Sequence, residues 1–264
     1  MQALLMCCAC FLQTRHIKRS CLCMSNLQRK NMSSLNFIGG EKGGVGKSVV
    51  ARVLAQYFID KNELFTGFDT DRSHTSFIRF YEDFASPVVI DSYESLDLIA
   101  AALEQNFAGK TQSVIVDLAA QTAAPLARWV KDSDLFTVMA GMGVAVNLWH
   151  IADAGKDSVD LLDKLIDTFG EGPNYVILKN FGRGNDFSQL EQSSAMEKAL
   201  RLGARVVNLG LLQEASMRKI DRQNASFWAA LNHPTGSDAL GLLERQRVKN
   251  WLKKTYDMLE TLPL

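Results

Sequence analysis

Along the chain, short runs that are apolar throughout alternate with longer stretches whose apolar positions recur every three or four residues. The short runs predict strands at 35–38, 64–68, 88–90, 113–117, 175–178 and 205–209. One or two more are expected across 134–140 and 144–151, around Gly141-Met142-Gly143. The periodic stretches predict a helix running to about Lys61, a short helix at 79–84, and helices at 92–107, 153–169 and 187–202. A further helix starts near Leu212, and one long helix closes the chain at 237–262. Strands apolar on both faces and separated by helices specify an α/β chain: a doubly wound, mostly parallel sheet with helices on both sides.

The punctuation after the first strand is the most informative. Residues 39–48 read Gly-Gly-Glu-Lys-Gly-Gly-Val-Gly-Lys-Ser, between the strand at 35–38 and a helical run that opens Val49-Val50-Ala51-Arg52. Strand, glycine-rich loop and helix, in that order, form the context of a phosphate-binding P-loop. Backbone N–H groups of Gly43, Gly44, Val45, Gly46, Lys47, Ser48 and Val49 would cradle phosphate oxygens, aided by the positive end of the helix. Lys47 would sit on the β- and γ-phosphates of ATP, and the Ser48 hydroxyl would ligate Mg²⁺. Two further strands end in carboxylates, where a parallel sheet presents them to its ligand crevice. The strand at 64–68 runs into Asp69-Thr70-Asp71, and Ser113-Val114-Ile115-Val116 runs into Asp117, a Walker B carboxylate for Mg²⁺.

One position departs from the ordinary loop. Where the first glycine of the pattern usually stands the chain has Glu41, followed by a second lysine, Lys42. Lys-Gly-Gly-Val-Gly-Lys-Ser is the deviant Walker A motif, and the chain resembles the ParA/MinD superfamily of dimerising ATPases, which shares its nucleotide-binding domain with cobyrinic acid synthases. The resemblance implies that Lys42 reaches across a homodimer to the partner's nucleotide. It also implies that Asp71 orients the attacking water with Asp69 near Mg²⁺, and that Asn180, closing the strand at 175–178, contacts adenine. The family often has proline after its Asp-x-Asp turn, where this chain has Arg72-Ser73-His74, and again near Ala119-Ala120, so both loops are expected to differ in shape. A more diffuse likeness to the ParA-like proteins of conjugative plasmid transfer, the TraL type, spans most of 35–264. It is carried by Phe77 after the Asp-Thr-Asp turn, Pro125-Leu126 after Asp117, and Phe227-x-x-Ala230-Leu231 ahead of a helix containing Arg245-Gln246-Arg247.

Composition then sets limits. The 264 residues carry 29 basic and 29 acidic side chains, with no net charge. Residues 1–31 hold Arg15, Lys18, Arg19, Arg29 and Lys30 without an acid, which leaves the rest of the chain mildly acidic and without general affinity for nucleic acid. All five cysteines (Cys7, Cys8, Cys10, Cys21 and Cys23) lie in the same segment. The body can therefore hold neither a disulfide framework nor a cysteine-ligated cluster of the nitrogenase-iron-protein kind. The segment lacks the basic start of a secretory signal; its composition fits a transit peptide or, the favoured expectation, a start placed upstream of Met32 or Met24. On that reading 1–31 is non-core and 32–264 is a single P-loop ATPase domain. No apolar run reaches the length of a bilayer span, so a cytoplasmic protein is expected.

The expected function is an ATP-binding, ATP-hydrolysing dimerisation switch for plasmid or cargo partitioning, positioning or conjugative transfer, working with a protein activator or cargo adaptor. The alternative is a metabolic ligase or small-molecule kinase using the same nucleotide site. The last helix carries Arg245, Arg247, Lys249, Lys253 and Lys254 opposite its apolar positions. Docking on the sheet with a solvated cationic side is the favoured reading; non-specific DNA binding and a membrane-surface role stay open.

Overall fold

A computed structural model describes residues 32–104, 111–233 and 236–264. The cysteine-bearing segment 1–31 and the last three residues of the helix expected at 92–107 lie outside the described residues. Among those described, the strands are β1 (Ser34–Gly39), β2 (Leu64–Asp69), β3 (Ala85–Pro87), β4 (Gln112–Asp117), β5 (Ala145–Ala152), β6 (Asn174–Asn180) and β7 (Arg205–Leu209). They form one sheet in the order β3-β2-β4-β1-β5-β6-β7, every pair parallel. From β1 the chain winds outward to β2 and β3, returns to insert β4 beside β1, then crosses to β5, β6 and β7. The direction of winding reverses at β1, and a doubly wound sheet opens its ligand crevice at such a point, at the strand C-termini.

Both faces of the sheet are covered, which is why its strands read as unbroken apolar runs. On one face lie α1 (Lys47–Lys61), α8 (Glu214–Arg222), α9 (Phe227–Asn232) and α10 (Leu242–Leu259). On the other lie α2 (Tyr93–Glu104), α3 (Ala123–Asp132), α4 (Leu135–Gly141), α5 (Asp157–Phe169), α6 (Ser188–Glu191) and α7 (Ser194–Arg201). Strand side chains alternate between the layers: Leu35 and Phe37 enter the second core, while Ile38 enters the first. Each fully buried side chain of this size contributes roughly 1.5–3 kcal/mol.

Helix α1 is more deeply enclosed than its sequence implied. Val50, Val53, Leu54, Tyr57 and Phe58 are buried as expected, but Ala51, Arg52, Ala55 and Gln56 are too, because α8–α10 close over the outer side. Helix α10 docks through Val248, Trp251, Leu252 and Leu259, with Lys249, Lys253 and Lys254 exposed. It begins only at Leu242, not at 237 as expected, and Leu243 in its first turn is exposed. No helix among the described residues is long and apolar enough to cross a membrane.

Several expected elements differ. The run at 134–140 is α4, not a strand: Leu135 and Met139, four apart, are its buried pair, a spacing that a short apolar run does not advertise. The strand expected at 88–90 lies at Ala85–Pro87; the Val88 N–H closes the ladder on the Asp69 carbonyl at 3.0 Å, and Val88 turns into the core. The helix expected at 79–84 is a single 3₁₀ turn at Ile78–Phe80. The 187–202 helix breaks in two, because the Ser193 hydroxyl accepts the Met196 N–H at 3.1 Å and starts a new helix. The 153–169 helix starts at Asp157, because the Asp153 carboxylate accepts from Gly155 N–H (3.1 Å) and Ser158 Oγ (2.7 Å) and holds 153–156 as a loop.

Candidate functional site: a glycine-rich loop at the sheet's reversal point

The loop Gly40–Gly46 leaves β1 at the reversal point and turns straight into α1. Gly46 carries the turn, with φ of +106°, and a Cβ there would lie 2.4 Å from Asn180 Nδ2. Only glycine meets both demands. Lys47 is buried, and its ammonium donates to the Lys42 carbonyl at 2.8 Å, arching over the loop. Burial lowers its pKa, opposed by the negative charges of Asp117, Glu41 and Asp71. The beginning of α1 and the preceding N–H groups thus form a positive nest with a lysine set into it, a shape suited to phosphate.

Asp117 ends β4 opposite the loop. Burial is the main force that pushes its carboxyl up to about 7; the neighbouring Asp69 and Asp71 add to the shift, while a hydrogen bond from Ser48 and the charge of Lys47 oppose it. Asp117 Oδ1 is buried with no hydrogen-bond partner. An orphaned carboxylate oxygen beside a serine hydroxyl at a helix N-terminus fits a hard divalent cation such as Mg²⁺ that completes its shell with phosphate oxygens and water.

The other expected acids are committed to their loop. Asp69 is buried; its Oδ1 accepts the Asp71 N–H at 2.9 Å and its Oδ2 accepts Phe77 N–H at 2.9 Å and Ile78 N–H at 3.4 Å. Burial nonetheless raises its pKa, with those three N–H groups opposing. Asp71 Oδ1 accepts from Ser73 and His74 N–H at 2.9 and 3.1 Å, and His74 Nδ1 lies 3.5 Å from Oδ2. The second lysine, Lys42, points away from the nest: its ammonium lies 2.9 Å from Asp153 Oδ2 and 3.2 Å from Asp157 Oδ2. Hydrogen bonding to Asp153 and then Asp157 raises its pKa.

Asn180 is buried at the end of β6, where its Nδ2 donates to the Val45 carbonyl at 2.7 Å and its Oδ1 accepts Gly182 N–H at 3.0 Å. It thereby joins the P-loop to the turn after β6. Beside it opens a crevice of about 510 Å³ lined by Gly46, Val49, Asn180, Arg183 and Leu211, of a size and position suited to a base and ribose.

Four contributing residues escaped the sequence reading. Glu41 Oε1 accepts Ala123 N–H at 2.8 Å, so the loop caps the N-terminus of α3. Thr70 Oγ1 donates to the Asp117 carbonyl at 3.1 Å and accepts Ala119 N–H at 2.8 Å, which ties the Asp-Thr-Asp turn to the segment after β4. Asp153 and Asp157 receive Lys42. Each contact joins residues far apart in sequence, which is why none was legible in the chain.

This architecture, with its loop at the reversal point, is that of the P-loop NTPase fold. No family model matches the chain. Among curated proteins it is similar to two versions of Protein TraL from Escherichia coli. One is 21% identical over 252 residues, covering 87% of this chain and 98% of the relative. The other is 22% identical over 228 residues, covering 83% and 93%. Among solved structures it is similar to the MinD cell division protein of Aquifex aeolicus, with a TM-score of 0.49 and 13% identity over 85% of this chain and 97% of that one. A plasmid partition protein from Borrelia burgdorferi, solved with AMPPNP, gives a TM-score of 0.47 and 15% identity over 85% and 99%.

Proposed function

We propose that the chain is an ATP-binding and ATP-hydrolysing dimerisation switch of the ParA/MinD type, serving plasmid or cargo partitioning, positioning or conjugative transfer. The observation that carries this reading is the division of labour between two lysines of one loop. Lys47 is buried in the phosphate nest, while Lys42 is turned outward and held only by partly exposed carboxylates. A ligase or kinase acting as a single chain has no use for the second. Nearly full-length similarity to Protein TraL supports the conjugative-transfer part of this reading, not the dimer switch itself.

In this mechanism the N–H groups of Gly43–Val49 and the Lys47 ammonium hold the phosphates, and Asn180 sets the loop against the base crevice. Ser48 and Asp117 would hold Mg²⁺, which when bound neutralises charge on the phosphate oxygens. Asp71 positions water through Oδ2, and Asp69 keeps the turn in shape. Lys42 leaves Asp153 and Asp157 to reach the nucleotide of a second copy, so that ATP favours the dimer and its adaptor, and hydrolysis resets it.

Lys42→Ala tests the proposal. Light scattering should show ATP-dependent dimerisation in the wild type and none in the variant, with nucleotide binding to the monomer retained. A variant that still dimerises and hydrolyses normally removes the dimer switch and leaves the single-chain enzyme. Asp71→Ala should trap the ATP-bound dimer; unchanged turnover would strip Asp71 of its role.

A further inference from the structure

We propose that a second cavity, between α3 and α5, binds a medium-chain carboxylate, with its acyl body on the apolar floor and its head beside Lys164. The cavity measures about 370 Å³ and lies on the opposite face of the sheet from α1. It is distinct from the base crevice at Gly46 and Asn180, though Gly39, Gly40 and Glu41 of the phosphate loop line its rim.

Its two ends differ in chemistry. Phe37, Leu126 and Leu148 on the floor are 1–3% exposed, and Leu118, Leu161 and Leu165 continue the apolar lining. Ala124, Lys164 and Thr168, all exposed, mark the mouth. Such a gradient suits an amphipathic molecule that enters tail first. An apolar cavity of roughly 150 Å³ accommodates benzene, so this one has room for a chain of about ten carbons.

The head is chosen by charge. Lys164 has no ion pair among the described residues. Of its acidic neighbours on α5, Asp163 and Asp167 are engaged by Lys198 at 2.7 and 3.3 Å, and Asp160, one turn earlier, forms no ion pair with it. The other polar groups of the lining are occupied: Glu41 accepts the Ala123 N–H, His150 Nε2 is 2.8 Å from the Ser158 carbonyl, and the Thr168 hydroxyl donates to the Lys164 carbonyl at 2.6 Å. A carboxylate at the mouth meets a free cation, whereas an ammonium would meet that same cation.

Because Glu41 and Ala123 both line the cavity, a bound acyl chain touches the phosphate loop and the segment after β4 together. That coupling rests on the nucleotide reading; the binding itself does not.

Calorimetric titration of nucleotide-free protein with sodium decanoate tests the proposal. One saturable site per chain is expected. Octanoate should bind roughly tenfold more weakly, two methylenes being withdrawn from the floor. Leu165→Trp, which fills the cavity, and Lys164→Glu, which reverses the mouth, should each weaken decanoate at least tenfold with thermal unfolding little changed. Since Lys164 is exposed, its variant decides the matter even if Leu165→Trp fails to fold. Absence of binding by the wild type, decanoate affinity unaltered by Lys164→Glu, or decylamine binding as tightly as decanoate would each overturn it.

Discussion

Lys42 Nζ lies 2.9 Å from Asp153 Oδ2, so the additional lysine of the phosphate loop is held by the loop that follows β5 of its own chain. The two ends of this contact carry unequal structural weight. The Lys42 side chain is 30% exposed, and its removal leaves Asp157 in solvent and Asp153, 17% exposed, with its two other donors, whereas Asp153 itself accepts Gly155 N–H and Ser158 Oγ and shapes the entrance to α5. An exposed ion pair contributes little on its own, while orphaned hydrogen-bond donors do not. Asp153→Ala should therefore lower the thermal midpoint by several degrees and Lys42→Ala hardly at all. Equal losses in calorimetry would show that the ion pair itself fixes the loop.

Gly46 and Asn180 form the tightest fit in the site. Gly46→Ala would place a Cβ 2.4 Å from Asn180 Nδ2 at a backbone φ of +106°. The strain, together with loss of the Val45 carbonyl bond, is expected to cost about 2–4 kcal/mol and to abolish binding of a fluorescent ATP analogue. Gly43→Ala is the control, since a Cβ there meets nothing within 4 Å, and its denaturant midpoint should match the wild type. If Gly46→Ala binds nucleotide normally, the junction does not organise the phosphate nest.

The contrast between these residues shows what could be read from the chain. The strand, loop and helix at 34–61 were legible because local chemistry dictates them: an apolar run, glycines that permit a left-handed turn, then a helical period. Asp69 and Asp117 were legible as strand-end carboxylates for the same reason. What Asp69 does with its oxygens was not, because Phe77 and Ile78 are positioned by the tertiary path of the turn. The role of Glu41 was not legible either, since its partner Ala123 is 82 residues away. The 134–140 run was misread because a short apolar segment fits either period until a neighbour chooses the face. Exposure of Leu243 followed from the position of the α10 start, which caps and loops set more weakly than packing does.

Arg52 is a buried cation with incomplete satisfaction. Its Nη1 donates to Asp221 Oδ1 at 2.8 Å and its guanidinium carbon lies 3.5 Å from the centre of the Phe80 ring, but Nε and Nη2 are buried without a partner. Asp221 is 44% exposed at its side chain and can be hydrated when left alone. Replacing such a cation by an apolar chain of similar length is often neutral or favourable. Arg52→Met should leave stability unchanged or raise it by about 1–2 kcal/mol in urea unfolding. Arg52→Ala should cost about 2–4 kcal/mol through the void it opens. A loss of that size in Arg52→Met would show that the ion pair and ring contact outweigh the two unpaired N–H groups.

His150 gives the fold a dependence on pH that can be isolated. Burial drives its pKa down to about 4 from an ordinary 6.5, against the opposing Ser158 carbonyl and the charge of Asp153. The folded state thus keeps the imidazole neutral, while the unfolded chain takes up a proton as soon as pH falls below 6.5. Stability from this group is complete above the unfolded value, declines as pH falls, and is lost once pH passes the folded value near 4. Between pH 7 and pH 5 the loss amounts to roughly 2 kcal/mol. Asp117, pushed up to about 7 chiefly by burial, acts in the opposite sense, so the bare pH profile mixes the two. Comparison with His150→Gln separates them: glutamine can still donate to the Ser158 carbonyl but does not titrate. Urea unfolding at the two pH values should show the wild type losing about 2 kcal/mol more than the variant on acidification. Parallel profiles would mean that the imidazole is protonated inside the fold or that water reaches it through the cavity it lines.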